Sequence, residues 1–106
     1  MFSSPVRTVL VSELDPAAPI APGVTLLDVR EQDEWDAGHA PGAWHIPFGE
    51  LPRRVSELPV DGRVLVVCRS GSRSARATAW LAQVGYDAAN LDGGMVAWAG
   101  AGLPVV

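Results

Sequence analysis

The run Arg63-Val64-Leu65-Val66-Val67 narrows the fold of this chain more than any other segment. A strand with one wet face alternates apolar and polar residues, but Val64 to Val67 is apolar at every position. Such a strand is dry on both faces and belongs at the centre of a parallel sheet covered by helices. Thr8-Val9-Leu10-Val11 reads as a first strand and Val24-Thr25-Leu26-Leu27-Asp28-Val29 as a second, buried one. Ala43-Trp44-His45-Ile46 is a short strand between Gly42 and Pro47, and Ala88 to Leu91 is the last. Helical stretches lie between them. Glu31–Ala37 is ended by Gly38, and Glu50–Leu58 sets Leu51, Val55 and Leu58 on one face. A third helix is capped by Ser72 or Ser74 and reaches about Val84, and a fourth covers Gly94–Ala99. Pro16–Gly23 is a loop, and the tail from Leu103 to Val106 is expected to pack on the core. No repeat, low-complexity tract or long linker divides the chain, so residues 1–106 read as a single α/β domain.

Composition then removes whole classes of chemistry. All eight basic residues are Arg, at positions 7, 30, 53, 54, 63, 69, 73 and 76. Without lysine there is no Schiff-base amine, no pyridoxal-phosphate attachment and no Walker-type phosphate loop. A single Cys rules out an intramolecular disulfide, and one Cys with His39 and His45 cannot close a tetrahedral structural zinc site without carboxylate help. No cofactor or metal motif is visible. A net charge of −4 argues against bulk nucleic-acid binding. The 48% apolar content is that of a globular chain, and no apolar run approaches the ~18 residues of a membrane span. The start, Met1-Phe2-Ser3-Ser4-Pro5, has no basic segment leading into an apolar stretch. With a lone thiol, that points to a reducing cytoplasm as the expected location.

The sharpest chemical feature is Val67-Cys68-Arg69-Ser70-Gly71-Ser72-Arg73-Ser74-Ala75, a buried strand running through a polar glycine-containing loop into a helix. Backbone amides after Cys68 can curl into an anion-binding nest, and the helix N-terminus adds positive partial charge. A free thiol titrates near pH 8.5. Lowering that by about two units takes about 2.7 kcal/mol in favour of the anion. Hydrogen bonds to a charged sulfur contribute roughly 1.5–3 kcal/mol each, and a helix end up to about 2 kcal/mol. The loop is therefore able to ionise Cys68 by itself. Arg69 is expected to point to solvent and guide anions. Arg73, if turned into the loop mouth, would hold an oxyanion with its planar fork. Residues 63–76 carry four Arg and no acid, whereas residues 28–36 carry Asp28, Glu31, Asp33, Glu34 and Asp36 with one Arg. A basic island around the only thiol of an acidic chain reads as a site that processes anions.

With four segments in order, the chain resembles the rhodanese-like sulfurtransferases in their single-domain form. These are Leu27-Asp28-Val29-Arg30-Glu31 with Glu34-Trp35; Gly38-His39-Ala40-Pro41-Gly42-Ala43 with Ile46-Pro47; the loop Cys68 to Arg73; and Leu91-Asp92-Gly93-Gly94-Met95 with Trp98. They span nearly the whole chain. Ala40 departs from the branched apolar residue usual there, a change expected to alter packing only. The resemblance implies a rhodanese-like α/β fold, a five-stranded parallel sheet flanked by helices on both faces. It implies that Cys68 takes the sulfane sulfur of thiosulfate or a persulfide donor and passes it to cyanide or a separate thiol or protein acceptor. It places Arg69, Ser70, Gly71, Ser72 and Arg73 in the loop that binds a small anionic donor. Phosphatase and arsenate-reductase relatives use a loop one residue longer; that spacing falls here on Ser74, which cannot clamp a phosphoryl group bidentately. The other alternative is a binding or regulatory module without catalysis, against which the intact Cys68 argues.

The remaining candidates read as support. Asp28 and Arg30 either line the site or pair to hold strand ends, and the second reading is favoured. His39 is expected to fix the Gly38–Gly42 turn by a hydrogen bond, while His45 has no role beyond its strand. Gly93-Gly94 permits a tight strand-to-helix turn. Trp80 and Trp98 belong to the core, and Trp35 is expected near the pocket mouth. Ser70, Ser72 and Ser74 brace or cap the loop. Arg63 and Arg76 are surface.

Overall fold

The computed structural model describes residues 6–106, so the reading of Met1–Pro5 lies outside the described residues. Five strands form one sheet: β1 (Thr8–Val9), β2 (Val24–Asp28), β3 (Trp44–His45), β4 (Arg63–Val67) and β5 (Asp87–Leu91). Their order is β1-β5-β4-β2-β3, and every neighbouring pair is parallel. The wholly apolar strand β4 occupies the centre, as its lack of alternation requires. Its side chains divide between two cores. Val64 and Val66 meet Leu27, Val29, Leu51, Ala77 and Leu81 on one face. Leu65 and Val67 meet Leu26, Leu91, Met95, Trp98 and Leu103 on the other. The first core is covered by α2 (Leu51–Arg54) and α3 (Ser72–Gln83), and the second by α4 (Gly94–Gly100) and the tail. Ala40 is fully buried in the second core. Trp98 lies in that core too, with Nε1 donating to Pro104 O at 2.8 Å, while Trp80 packs half-buried against the first. The short α1 (Gln32–Asp36) follows β2.

Two elements depart from their sequence pattern by more than one residue at an end. β1 ends at Val9 rather than Val11, and Val11–Glu13 winds into a 3₁₀ turn. The register ends with Val9 opposite Leu91 of β5, and Asp92 N–H donates to Val9 O at 2.9 Å before the chain turns at Gly93. The expected helix Glu50–Leu58 is broken into a 3₁₀ turn at Phe48–Glu50, the single turn of α2 and another 3₁₀ turn at Val55–Glu57. Pro52 has no N–H and fits only the first turn of a helix, while Pro59 forces Leu58 into extended backbone (φ −78°, ψ 143°). Leu51 and Leu58 are nonetheless both buried, so the apolar face survives the break.

The C-terminal edge of the sheet is where chemistry collects. β2 ends in Asp28 and neighbouring β4 ends just before Cys68, the placement expected for ligand sites in open parallel sheets. Helix α4 butts against the back of the turn after β4: Met95 N–H donates to Cys68 O at 2.8 Å and Val96 N–H to Arg69 O at 3.0 Å. So close an approach leaves no room for a side chain at Gly94. A Cβ there would stand 2.6 Å from the Arg69 carbonyl carbon and oxygen, and the residue has φ +57°. Gly94→Ala is therefore expected to lower the unfolding free energy by roughly 2–4 kcal/mol, combining strain and overpacking against rigid backbone. In Gly100→Ala, with φ outside the left-handed region and open space at Cβ, the change should stay within about 1 kcal/mol. Urea denaturation of the pair checks this; equal effects would refute the close-approach explanation.

Candidate active site

Cys68 is 1% exposed, and its sulfur is surrounded by donors. Gly71 N–H donates to Sγ at 3.1 Å, Ser74 N–H at 3.3 Å and Ser74 Oγ–H at 3.2 Å. The arrangement follows from local backbone. Helix α3 begins at Ser72, and its first amides have no carbonyl partners within the helix. The residue before it, Gly71, sits at φ +114° and offers no side chain as a cap. Sγ takes the place of the usual cap oxygen. This corrects the expectation that Ser72 or Ser74 caps the helix through its own hydroxyl. Ser72 is exposed, and the Ser74 hydroxyl is turned to the sulfur and to Gly71 O.

Two opposing effects act on the thiol. Burial pushes its pKa up, because a charged sulfur loses water. The Ser74 hydroxyl and the N–H groups of Ser74, Gly71 and Ser70 pull it down, and together they prevail, so the thiol is held below its ordinary value. Ser74 is a residue that sequence reasoning placed as a cap or brace, not as a donor to the sulfur. Its signal was its position three residues into a helix that starts behind the cysteine, where N–H and side chain both face the cap.

The arginines divide differently from expectation. Arg73 does not turn a free fork to the loop mouth: Nη1 and Nη2 donate to Glu34 Oε1 and Oε2 at 2.7 and 2.9 Å. Both stretches of opposite charge lie at the same sheet edge, so the acidic α1 neutralises part of the basic loop. Glu34 also accepts from the Glu31 N–H at 3.0 Å, closing the first turn of α1. The bond from Arg73, working against partial burial and helped by the Glu31 N–H, holds the Glu34 carboxyl down to about 2. Arg63 pairs with Asp87 at 3.5 Å, and Arg76 lies over the Phe48 ring at 5.0 Å. Arg69 is exposed and has no carboxylate partner among the described residues.

Asp28 and Arg30 form a buried pair beside this loop. Arg30 Nη2 donates to Asp28 Oδ2 at 2.7 Å and to Gly38 O at 2.8 Å, and Nη1 to Glu34 O at 3.2 Å. The guanidinium thus ties the end of β2 to α1 and to the following turn. His39 Nδ1 lies 2.9 Å from Trp35 O. Trp35 stacks on His39 and His45, with centroids 3.7 and 4.6 Å apart. His45 also has Nε2 2.8 Å from Arg30 O, a role in the turn that its sequence context did not suggest.

A parallel α/β sheet carries a buried cysteine just after its central strand, where the amides at the start of the next helix favour the ionised form of the thiol. The profile of the rhodanese-like domain matches residues 13–101, and the chain belongs to that family. It is 46% identical over 84 residues to a sulfurtransferase of Allochromatium vinosum, covering 78% of each chain. It is 39% identical over 79 residues to the putative sulfurtransferase YtwF of Bacillus subtilis, covering 74% of this chain and 77% of that protein. The rhodanese-related protein of Thermoplasma volcanium superposes with a TM-score of 0.85 at 33% identity, over 94% of this chain and 97% of that one.

The Glu34–Arg73 pair has a pH signature. The folded-state pKa of Glu34, about 2, lies below its ordinary 4.5. The pair therefore stabilises the fold fully above about pH 4.5, and that contribution fades as pH falls toward 2. Glu34→Gln is expected to cost about 1 kcal/mol at pH 6 and progressively less on acidification. Unfolding midpoints of both forms at several pH values test it; a gap that does not narrow below pH 4 would contradict the assignment.

Proposed function

We propose that this protein is a thiosulfate-type sulfurtransferase that works through a persulfide on Cys68. The observation that carries the reading is the set of donors on the Cys68 sulfur, which favours the nucleophilic anion without calling on a general base. In the first step the thiolate attacks the outer, sulfane sulfur of the donor. A new S–S bond forms, the donor's S–S bond breaks, and sulfite leaves with the bonding pair. In the second step the acceptor, cyanide or a thiol, attacks the outer sulfur of the persulfide, and the Cys68 thiolate departs with its electrons. Sulfur is passed on and the enzyme returns to its starting state. The chain has one Cys, so no internal thiol resolves the persulfide and discharge goes to a separate molecule.

The charge arrangement supports a division of labour in the loop. Arg73 is engaged by Glu34, which leaves Arg69 as the guanidinium free to gather an anionic donor at the loop. Ser70 and Gly71 contribute amides to the sulfur, and Ser72 starts the helix behind it. Asp28 and Arg30 hold the neighbouring strand end through their mutual pair and the Gly38 carbonyl.

Incubation with thiosulfate is expected to add one sulfur atom to the protein, read by intact mass, and cyanide should remove it as thiocyanate. Cys68→Ser should show no adduct and no turnover; wild-type thiocyanate production by that variant would refute the reading. Arg69→Ala should raise KM for thiosulfate about five- to tenfold, as loss of one charge-assisted contact predicts, with a smaller effect on kcat. An unchanged KM in that variant would remove Arg69 from donor binding.

A further inference from the structure

Asn90 is out of character with its surroundings. It lies on β5 between Val66 of β4 and Thr8 of β1, and it is 6% exposed. Side chains alternate along a strand. Ala89 and Leu91 face the Trp98 core, so Asn90 shares the other face with Ala88, beneath α3. A buried amide normally has its donors and its acceptor matched. Here Nδ2 donates to Gly71 O at 3.3 Å, while Oδ1 has no partner among the described residues. The reversed amide would set Oδ1 against the Gly71 carbonyl oxygen, two acceptors with no proton between them, so Nδ2 is the atom that faces the loop.

The Gly71 carbonyl oxygen is contested. Ala75 N–H donates to it at 3.0 Å, Asn90 Nδ2 at 3.3 Å, and Ser74 Oγ lies 3.2 Å away. A carbonyl oxygen has two lone pairs. The Ser74 hydroxyl has one proton and lies equally close, 3.2 Å, to Cys68 Sγ. Carbonyl and sulfur compete for that proton, and a carbonyl already filled by Ala75 and Asn90 competes poorly.

We propose that Asn90 is a positioning residue of the cysteine loop: by occupying the Gly71 carbonyl oxygen, its amide directs the Ser74 hydroxyl proton onto the Cys68 sulfur. Asn90 touches neither the sulfur nor the substrate and acts through Gly71 and Ser74. The inference rests on the reading of Cys68 as an ionised nucleophile. The charged groups around the loop are Arg69 on the loop itself, Arg73 of α3 with Glu34 of α1 behind it, and the buried Asp28–Arg30 pair at the end of β2; replacing a neutral amide on β5 leaves their charges as they are.

The test measures the rate of Cys68 alkylation by iodoacetamide against pH, a readout that needs no sulfur transfer. Four proteins are compared: wild type, Asn90→Leu, Ser74→Ala and the double variant. The wild-type midpoint is expected below that of a free thiol. Asn90→Leu should raise it by about one pH unit, the effect of one hydrogen bond to a charged sulfur. In the Ser74→Ala background the same substitution should add nothing, because no hydroxyl proton remains to be directed. An unchanged midpoint in Asn90→Leu overturns the proposal, and so does a shift of equal size with and without the Ser74 hydroxyl. Either result beside a low wild-type midpoint leaves the ionised-thiol reading standing. A wild-type midpoint at that of a free thiol overturns both. Asn90→Ala carries the same comparison should Asn90→Leu fail to fold.

Discussion

The structure turns on one substitution of roles: a cysteine sulfur does the work of a helix cap. Helix α3 starts on a glycine without a side chain, and the amides it leaves open point to Cys68 Sγ. Because Cys68 directly follows the central strand, that contact fixes the first turn of α3 to the middle of the sheet. Ala77 and Leu81 are then carried onto the first core. From the opposite side α4 holds the carbonyls of Cys68 and Arg69. The loop is gripped by carbonyl acceptance behind and amide donation in front, so its donors face the sulfur before any substrate arrives. Such preorganisation is the usual source of electrostatic stabilisation at reactive groups.

Electrostatics at the sheet edge works by compensation as much as by accumulation. Arg30 lies among Asp28, Gly38 O and Glu34 O, and Arg73 is fastened to Glu34. A buried or half-buried guanidinium left unpaired would carry a desolvation cost with no return. Pairing removes that cost and makes the two arginines structural braces around the loop. α1 is short, and its own first turn is closed by the same Glu34 carboxylate that receives Arg73. One carboxylate thus couples the turn after β2 to the helix after β4.

What the sequence made legible followed from local rules. An unbroken apolar run located β4 at the centre, and the strand–Cys–loop–helix order located the cage around Cys68. The family, the parallel sheet and its two covered faces were all readable from residues that lie close together in the chain. The misreadings came from contacts that sequence proximity does not show. Arg73 and Glu34 are 39 positions apart, and only the adjacency of β2 and β4 brings them together. Strand β1 pairs with β5 only through Thr8 and Val9, a register that its own apolar run does not reveal. The Glu50–Leu58 helix kept its apolar face but not its hydrogen bonds, since periodicity records burial and is blind to a missing proline N–H. Ser74 was undervalued because a hydroxyl near a helix start is usually a cap, and here the cap position was already taken.

The cage around Cys68 bears on the departure of the sulfur as well as on its attack. In the proposed cycle the anionic charge of a persulfide resides on the outer sulfur, about 2 Å beyond the atom that the amides hold. The inner sulfur is then an ordinary divalent neighbour, and the donors around it are underused. When an acceptor takes the outer atom, the charge returns to the place those donors were built to receive. A thiol that is easily ionised is also a good leaving group. In that cycle, the geometry that favours ionisation of Cys68 would also make a sulfur carried on it easier to surrender, as a transient carrier requires.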